Sequence, residues 1–135
     1  MTYVYRQETV SAVDFADILH RSGLGDRRPV GDVPRLQKML DHASLLITAR
    51  SAGDGKLVGI ARSLTDWSYA TYLSDLAVDR AVAGRGIGRR LIEETRDAAG
   101  TGSMLLLVAS PDAEGYYDHI GMPRSGRAFL YPRAE

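Results

Sequence analysis

Three glycines alternate in Ala83-Gly84-Arg85-Gly86-Ile87-Gly88-Arg89-Arg90. Without Cβ atoms, the main-chain amides of such a stretch can close around an anion. The apolar run Tyr72 to Val78 comes before it, and Ile87, Leu91, Ile92, Thr95, Ala98 and Ala99 follow at near-helical spacing, so the glycines lie at a strand-to-helix junction. The first turn of a helix presents unpaired N–H groups and the positive end of a dipole. Arg85, Arg89 and Arg90 stand against that dipole at roughly 0.3–1 kcal/mol each, a cost that a bound phosphate would relieve. The competing reading is a glycine-rich turn with solvated arginines. A second candidate is Asp75, a carboxylate inside the apolar run Tyr72-Leu73-Ser74-Asp75-Leu76-Ala77-Val78. Burial raises a carboxylate pKa, so Asp75 could accept a proton in a cleft, directly or through water. A structural hydrogen bond and a counter-ion for a substrate ammonium are its rival roles. His20, His42 and His119 share no metal-ligand spacing, and no metal is expected.

Other phosphate-binding chemistries fit less well. No Gly-Lys-Ser or Gly-Lys-Thr follows the glycines, which argues against a loop holding Mg²⁺ and a nucleoside triphosphate. A dinucleotide fold would place the first glycine just after an opening strand, whereas about half of this chain comes first. The 135 residues suit one domain, 1–135, with a sizeable core. Hydrophobic residues make up 44% and charged residues 25%, as in an ordinary globular protein. Seventeen basic residues offset seventeen acidic ones, so no global field favours nucleic acid or an anionic membrane, and any anion site must be local. Cysteine is absent, which excludes disulfides, a Cys-based zinc site and a thiol nucleophile. Met1 to Arg6 lacks the apolar core of a signal peptide, and no apolar run approaches membrane-spanning length, so a cytoplasmic location is the expectation.

The elements that must position these residues follow in order. Tyr3 to Gln7 reads as a strand, and Ser11 with Asp14 caps a helix from Val13 to about Arg21. Gly23-Leu24-Gly25 ends it, and the loop that follows is free to shape a substrate cleft; Arg27 and Arg28 belong either to that cleft or, as the favoured reading, to solvent. Asp32 and Pro34 open a second helix to about Ala43. Strands at Leu45 to Arg50, Lys56 to Ala61 and Tyr69 to Asp79, turned at Asp54-Gly55 and at Asp66-Trp67-Ser68, make an antiparallel meander. Met104 to Ala109, apolar on both faces, predicts a central buried strand. A short helix from Ala113 to about His119, closed by Gly121, and a last strand near Arg127 to Tyr131 complete the chain.

The order β-α-α-β-β-β-loop-α-β-α-β, with Ala83-Gly84-Arg85-Gly86-Ile87-Gly88 in the loop, resembles the GNAT superfamily of N-acetyltransferases. That family's pyrophosphate loop is written Gln/Arg-x-x-Gly-x-Gly/Ala, with Ala83 here standing in the opening position. A second motif, aromatic-Tyr-x-x-x-Gly-Phe, is matched by Tyr116-Tyr117-Asp118-His119-Ile120-Gly121-Met122, with Met122 for the Phe. The resemblance implies an α+β fold: a mixed, mostly antiparallel sheet flanked by helices.

The resemblance also implies acetyl-CoA as co-substrate and an amine on a small molecule or protein as acceptor, with direct attack in a ternary complex. The pantetheine arm would pair with the backbone of Leu76, Ala77 and Val78. The pyrophosphate would meet Gly84, Arg85, Gly86, Ile87, Gly88 and Arg89, and Ser110 stands where the family often has a cofactor-touching Asn. Tyr117 takes the place of the tyrosine that protonates the departing thiolate, its rival roles being a core aromatic or a cofactor contact. Asp75 is the candidate base, although relatives with a dedicated Glu have it at or next to Ser74. Neither nucleic acid nor membrane is an expected partner, and resemblance alone makes a homodimer plausible. A non-catalytic acyl-CoA-binding or sensing module is the alternative, and an unrelated phosphate-binding enzyme a third reading.

Overall fold

Local chemistry sets the ends of the elements in the computed structural model, which describes residues 2–134; Met1 and Glu135 lie outside the described residues. Strand β1 (Tyr3–Gln7) leads to α1 (Ala12–Ser22), whose first turn is capped by the Ser11 hydroxyl accepting from the Asp14 amide at 3.1 Å. Gly23 stops α1 at φ +87°, a left-handed conformation suited to glycine, and a 3₁₀ turn (Leu24–Arg27) follows. Helix α2 (Val33–Asp41) is capped by Asp32 with Pro34 in its first turn.

Strands β2 (Leu45–Ser51), β3 (Leu57–Thr65) and β4 (Ala70–Val78) form the meander. The Asp66 carboxylate holds the β3–β4 turn by accepting from the amides of Ser68, Tyr69 and Ala70 at 2.9, 2.7 and 3.0 Å. Those amides pull its pKa down to about 2. Helix α3 (Ile87–Ala99) and β5 (Met104–Leu106) come next, then α4 (Glu114–His119). The sheet order is β1-β2-β3-β4-β5, antiparallel except for the β4–β5 pair.

Apolar residues cover both faces of this sheet. Phe15, Ile18 and Leu19 of α1 and Leu36 of α2 pack with Leu57, Ile60 and Ala77 on one face. Ile87, Leu91, Ile92 and Ala99 of α3 pack with Leu45, Ile47, Val58, Ala61 and Leu73 on the other. Among the described residues no helix is long and apolar enough to cross a membrane.

The mixed α+β architecture is the expected one, with two corrections near its end. The strand expected from Met104 to Ala109 is three residues long and lies at the sheet edge rather than its centre, with Met104 57% exposed. Leu105 and Leu107 gain burial from the core on the α3 face of the sheet instead of from a further strand. Arg127 to Tyr131 forms no strand, because β5 ends at Leu106 and leaves little edge to pair with. Phe129 and Tyr131 are fully exposed there.

Candidate active site

Strand β4 changes partners partway along its length. Its ladder to β3 runs as far as Val78, but its ladder to β5 stops at Tyr72. Beyond that point β4 and β5 part, and the β4 edge from Leu73 to Val78 has no ladder on its β5 side. A β-bulge adds to the divergence: Asp75 opposes Arg62 and Leu73 opposes Ser63, leaving Ser74 as the extra residue. Side chains alternate along a regular strand, so Leu73 and Ala77 would share a face; here Leu73 packs against α3 and Ala77 against α1. The bulge turns Asp75 with Ala77 towards α1, α2 and the loop between them.

Asp75 is fully buried, and its carboxylate accepts from the Nε atoms of both Arg28 and Arg62. Arg28 Nη2 also donates to the Ser74 carbonyl at 2.9 Å, and Arg62 Nη2 to the Ser74 hydroxyl at 3.0 Å. The α1–α2 loop is thereby fastened to the bulge. Arg28 is thus a partly buried tie rather than the solvated loop arginine expected, because an otherwise unpaired carboxylate inside the sheet demands counter-charge. Both carboxylate oxygens serve guanidinium groups, which sets this geometry against the base role expected for Asp75.

The glycine loop lies just past the end of β4, after a 3₁₀ turn (Arg80–Val82) capped by Asp79. Asp79 also accepts from Arg21 Nη1 at 2.6 Å, tying the end of α1 to this turn. Gly84 and Gly86 adopt φ of +80° and +78°, and a Cβ at either would point into open space. No side chain caps the first turn of α3. Ile87 is expected as a contact, but its side chain is buried in the core, which leaves its amide for the loop.

The three arginines that were to draw an anion have protein partners. Arg85 Nη1 donates to the Tyr3 hydroxyl at 2.9 Å, Arg89 pairs with Glu93 at 3.8 Å, and Arg90 pairs with Glu94 at 2.8 Å while stacking 4.8 Å from the Tyr5 ring centroid.

Tyr116 and Tyr117 of α4 stand edge to face, with centroids 5.3 Å apart. The Tyr116 hydroxyl lies over the start of α3, where a Cβ on Gly88 would collide with it, so this close approach favours glycine at 88. Burial pushes the Tyr117 phenol up to about 12; Tyr116 adds to the shift, and the Arg28 charge opposes it. Tyr117 therefore keeps its proton at neutral pH.

The parting of β4 and β5 opens a cleft of about 1040 Å³, with Leu76, Val78, Ser110, Tyr116, Tyr117 and Arg28 among its walls. Ala77 is 1% exposed, so its side chain faces the core. The cleft thus gathers the strand edge, Ser110 and the tyrosines, with the glycine loop at the strand's end. His20, His42 and His119 stay on the surface, and among the described residues no cluster of His, Cys, Asp or Glu could hold a metal. Sequence reading missed Arg62 as a member of this site, and it offered Arg28 as a cleft residue only as the less favoured alternative. The available signal was Asp75 itself, since a carboxylate in an apolar strand needs partners. Arg62 went unnoticed because it lies one residue past the expected end of β3.

The sequence model of the acetyltransferase (GNAT) family matches residues 13–122. Serotonin N-acetyltransferase 2, chloroplastic, of Oryza sativa subsp. japonica is 31% identical over 91 residues, covering 64% of this chain and 46% of that protein. The chain therefore spans about half the length of this curated relative. Among solved structures, a GNAT family acetyltransferase from Streptococcus pneumoniae TIGR4 is similar with a TM-score of 0.76 at 18% identity, covering 99% of this chain and 100% of that one. Glucosamine-6-phosphate N-acetyltransferase from Arabidopsis thaliana gives 0.70 at 16% identity and covers both chains fully. At these identities the two structures speak for the fold alone. The family match, running from the first helix to the last, takes in the glycine loop, the separating strands and Tyr117 together, and the chain belongs to the acetyltransferase (GNAT) family.

Proposed function

We propose that this chain transfers the acetyl group of acetyl-CoA to a primary amine by direct attack in a ternary complex. One observation carries the reading: an unpaired strand edge, Leu73 to Val78, runs through a cleft toward an uncapped helix N-terminus, with a protonated tyrosine in the same cleft. The edge suits an extended amide-bearing arm, whose groups would bond with the backbone of Leu76, Ala77 and Val78. The loop suits a pyrophosphate, because two glycines at positive φ leave space where side chains would intrude. Its contacts would be the amides from Gly84 to Arg89, and the Ser110 hydroxyl would touch the arm.

Acetyl-CoA brings an activated acetyl thioester, and no thiol nucleophile is needed or present in the chain. The amine attacks in its neutral form, its ammonium proton having passed to solvent; as the C–N bond forms and the C–S bond breaks, Tyr117 gives its Oη proton to the leaving sulfur, whose own pKa is near ~8.5, and regains one from the acylated nitrogen. Asp75 acts as a positioning residue, holding Arg28 and Arg62 and through them the α1–α2 loop that walls the cleft. The alternative, a module that binds acyl-CoA without turnover, is favoured by the same engagement of Asp75, since no free carboxylate base then lies on β4.

Release of free CoA thiol from acetyl-CoA, followed with a panel of primary amines, separates the two. Amine-dependent release supports transfer. Tight acetyl-CoA binding with no release above the rate in buffer, for any amine, would leave only the binding module.

A further inference from the structure

The charge around the cleft is lopsided although the chain as a whole is balanced. Arg27, Arg28, Arg35, Arg62, Arg80 and Arg133 line it, against Asp26 and Asp112 at the surface and Asp75 beneath. Some of this positive charge is spoken for. Asp112 lies 3.7 Å from Arg27. Arg80 follows the end of β4 and packs over Gly23, next to the glycine loop, where it suits a phosphate of the co-substrate.

Arg133 comes from the exposed end of the chain, and Arg28, Arg35 and Arg62 lie further back along β4, on the side of α2. There one carboxylate, Asp75, faces two guanidinium groups, so the cluster carries one more positive than negative formal charge. Arg62 Nη1 has only a long contact, 3.4 Å, to the Met39 carbonyl on α2. Arg35 is one helical turn before Met39 and so on the same face of α2. It is exposed at the cleft wall, and its guanidinium has no hydrogen-bond or ion-pair partner among the described residues.

Resting on the transfer reading above, we propose that the acceptor is an amine whose far end carries an anion, a carboxylate or a phosphate, held by Arg35 in the field of the Arg28–Asp75–Arg62 cluster. Exposed Asp26, in the 3₁₀ turn after α1, can meet the ammonium before it loses its proton. A polyamine would place its second ammonium against this cluster, and like charges at close range in a partly desolvated cleft repel.

Amines of equal length that differ only at the far end test this: aminovalerate (anionic), pentylamine (neutral) and cadaverine (cationic), with phosphoethanolamine against ethanolamine to tell phosphate from carboxylate. At low salt, kcat/KM for aminovalerate or phosphoethanolamine should exceed that of its neutral partner by about tenfold or more, with cadaverine poorest. Added salt should shrink the ratio. Arg35→Gln, a change at an exposed position, should collapse the anionic-to-neutral ratio towards one. Cadaverine or tryptamine matching the anionic amines, or a ratio that survives Arg35→Gln, would overturn the inference. Calorimetric titration of the same amines into CoA-saturated protein reads it without turnover. Preferential binding of the anionic amines, lost in Arg35→Gln, upholds the inference even where no thiol is released, in which case the transfer reading alone has failed. No such preference in binding overturns it.

Discussion

Tyr117 carries most of the proposed chemistry. Burial holds its phenol up to about 12, so it is a proton store throughout the physiological range rather than a nucleophile or a base. Tyr117→Phe should lower kcat by about 10²–10⁴-fold while CoA affinity stays nearly unchanged, because the ring still packs and only the proton is gone. Tyr116→Phe is the control. A surviving kcat with a raised KM for acetyl-CoA would reduce Tyr117 to a cofactor contact. The same shift gives a sign for stability. An unfolded tyrosine titrates near ~10, below the folded value, so the stabilisation is complete below that pH and is lost as pH rises through about 12. The alkaline loss of stability should therefore be smaller in Tyr117→Phe than in the wild type, as followed by circular dichroism. Tyr117 was legible from the sequence only through the motif around it, since residue type alone does not separate it from Tyr116. The approach of Tyr116 to Gly88 depends on how α4 packs on the start of α3, which no local pattern encodes.

At the scale of elements, the bulge in β4 organises the site. Asp75 replaced by Asn would leave Arg28 and Arg62 facing each other without their anion. Breaking a buried ion pair in this way costs about 3–5 kcal/mol. Urea unfolding of Asp75→Asn should show a loss of that order, and a loss under about 1 kcal/mol would contradict the tie described here. At a temperature where the variant stays folded, its pH profile for kcat/KM should keep an acidic limb that follows the amine itself; disappearance of that limb would restore Asp75 as the base.

The helices, the meander and the glycine loop were legible because each is written in local terms: the Ser11 cap, the Asp66 turn, and the alternation of core residues. The bulge was not, since one extra residue on β4 is defined only by the register of β3 opposite. The end of the chain was misread for a related reason. Met104 to Ala109 is as apolar as a central strand, and nothing in that run shows that its outer side meets no further strand.

For the whole molecule, the two cores on opposite faces of one sheet hold β4 and α3 rigidly enough to keep an open edge and an uncapped helix end in register. Both features leave main-chain groups waiting for a partner, and the central claim is that acyl-CoA is that partner. The most direct test is the melting temperature with and without acetyl-CoA, in the wild type and in Gly86→Val, where a branched side chain at φ +78° both strains the loop and fills its open space. At a hundredfold excess over Kd, binding to the native state adds about 2.7 kcal/mol, a rise on the order of 10 °C for a chain of this size. The wild type should show that rise with acetyl-CoA and far less with ATP or NAD, and Gly86→Val should lose most of it. A melting curve unmoved by saturating acetyl-CoA, or moved instead by a nucleotide, would contradict the account.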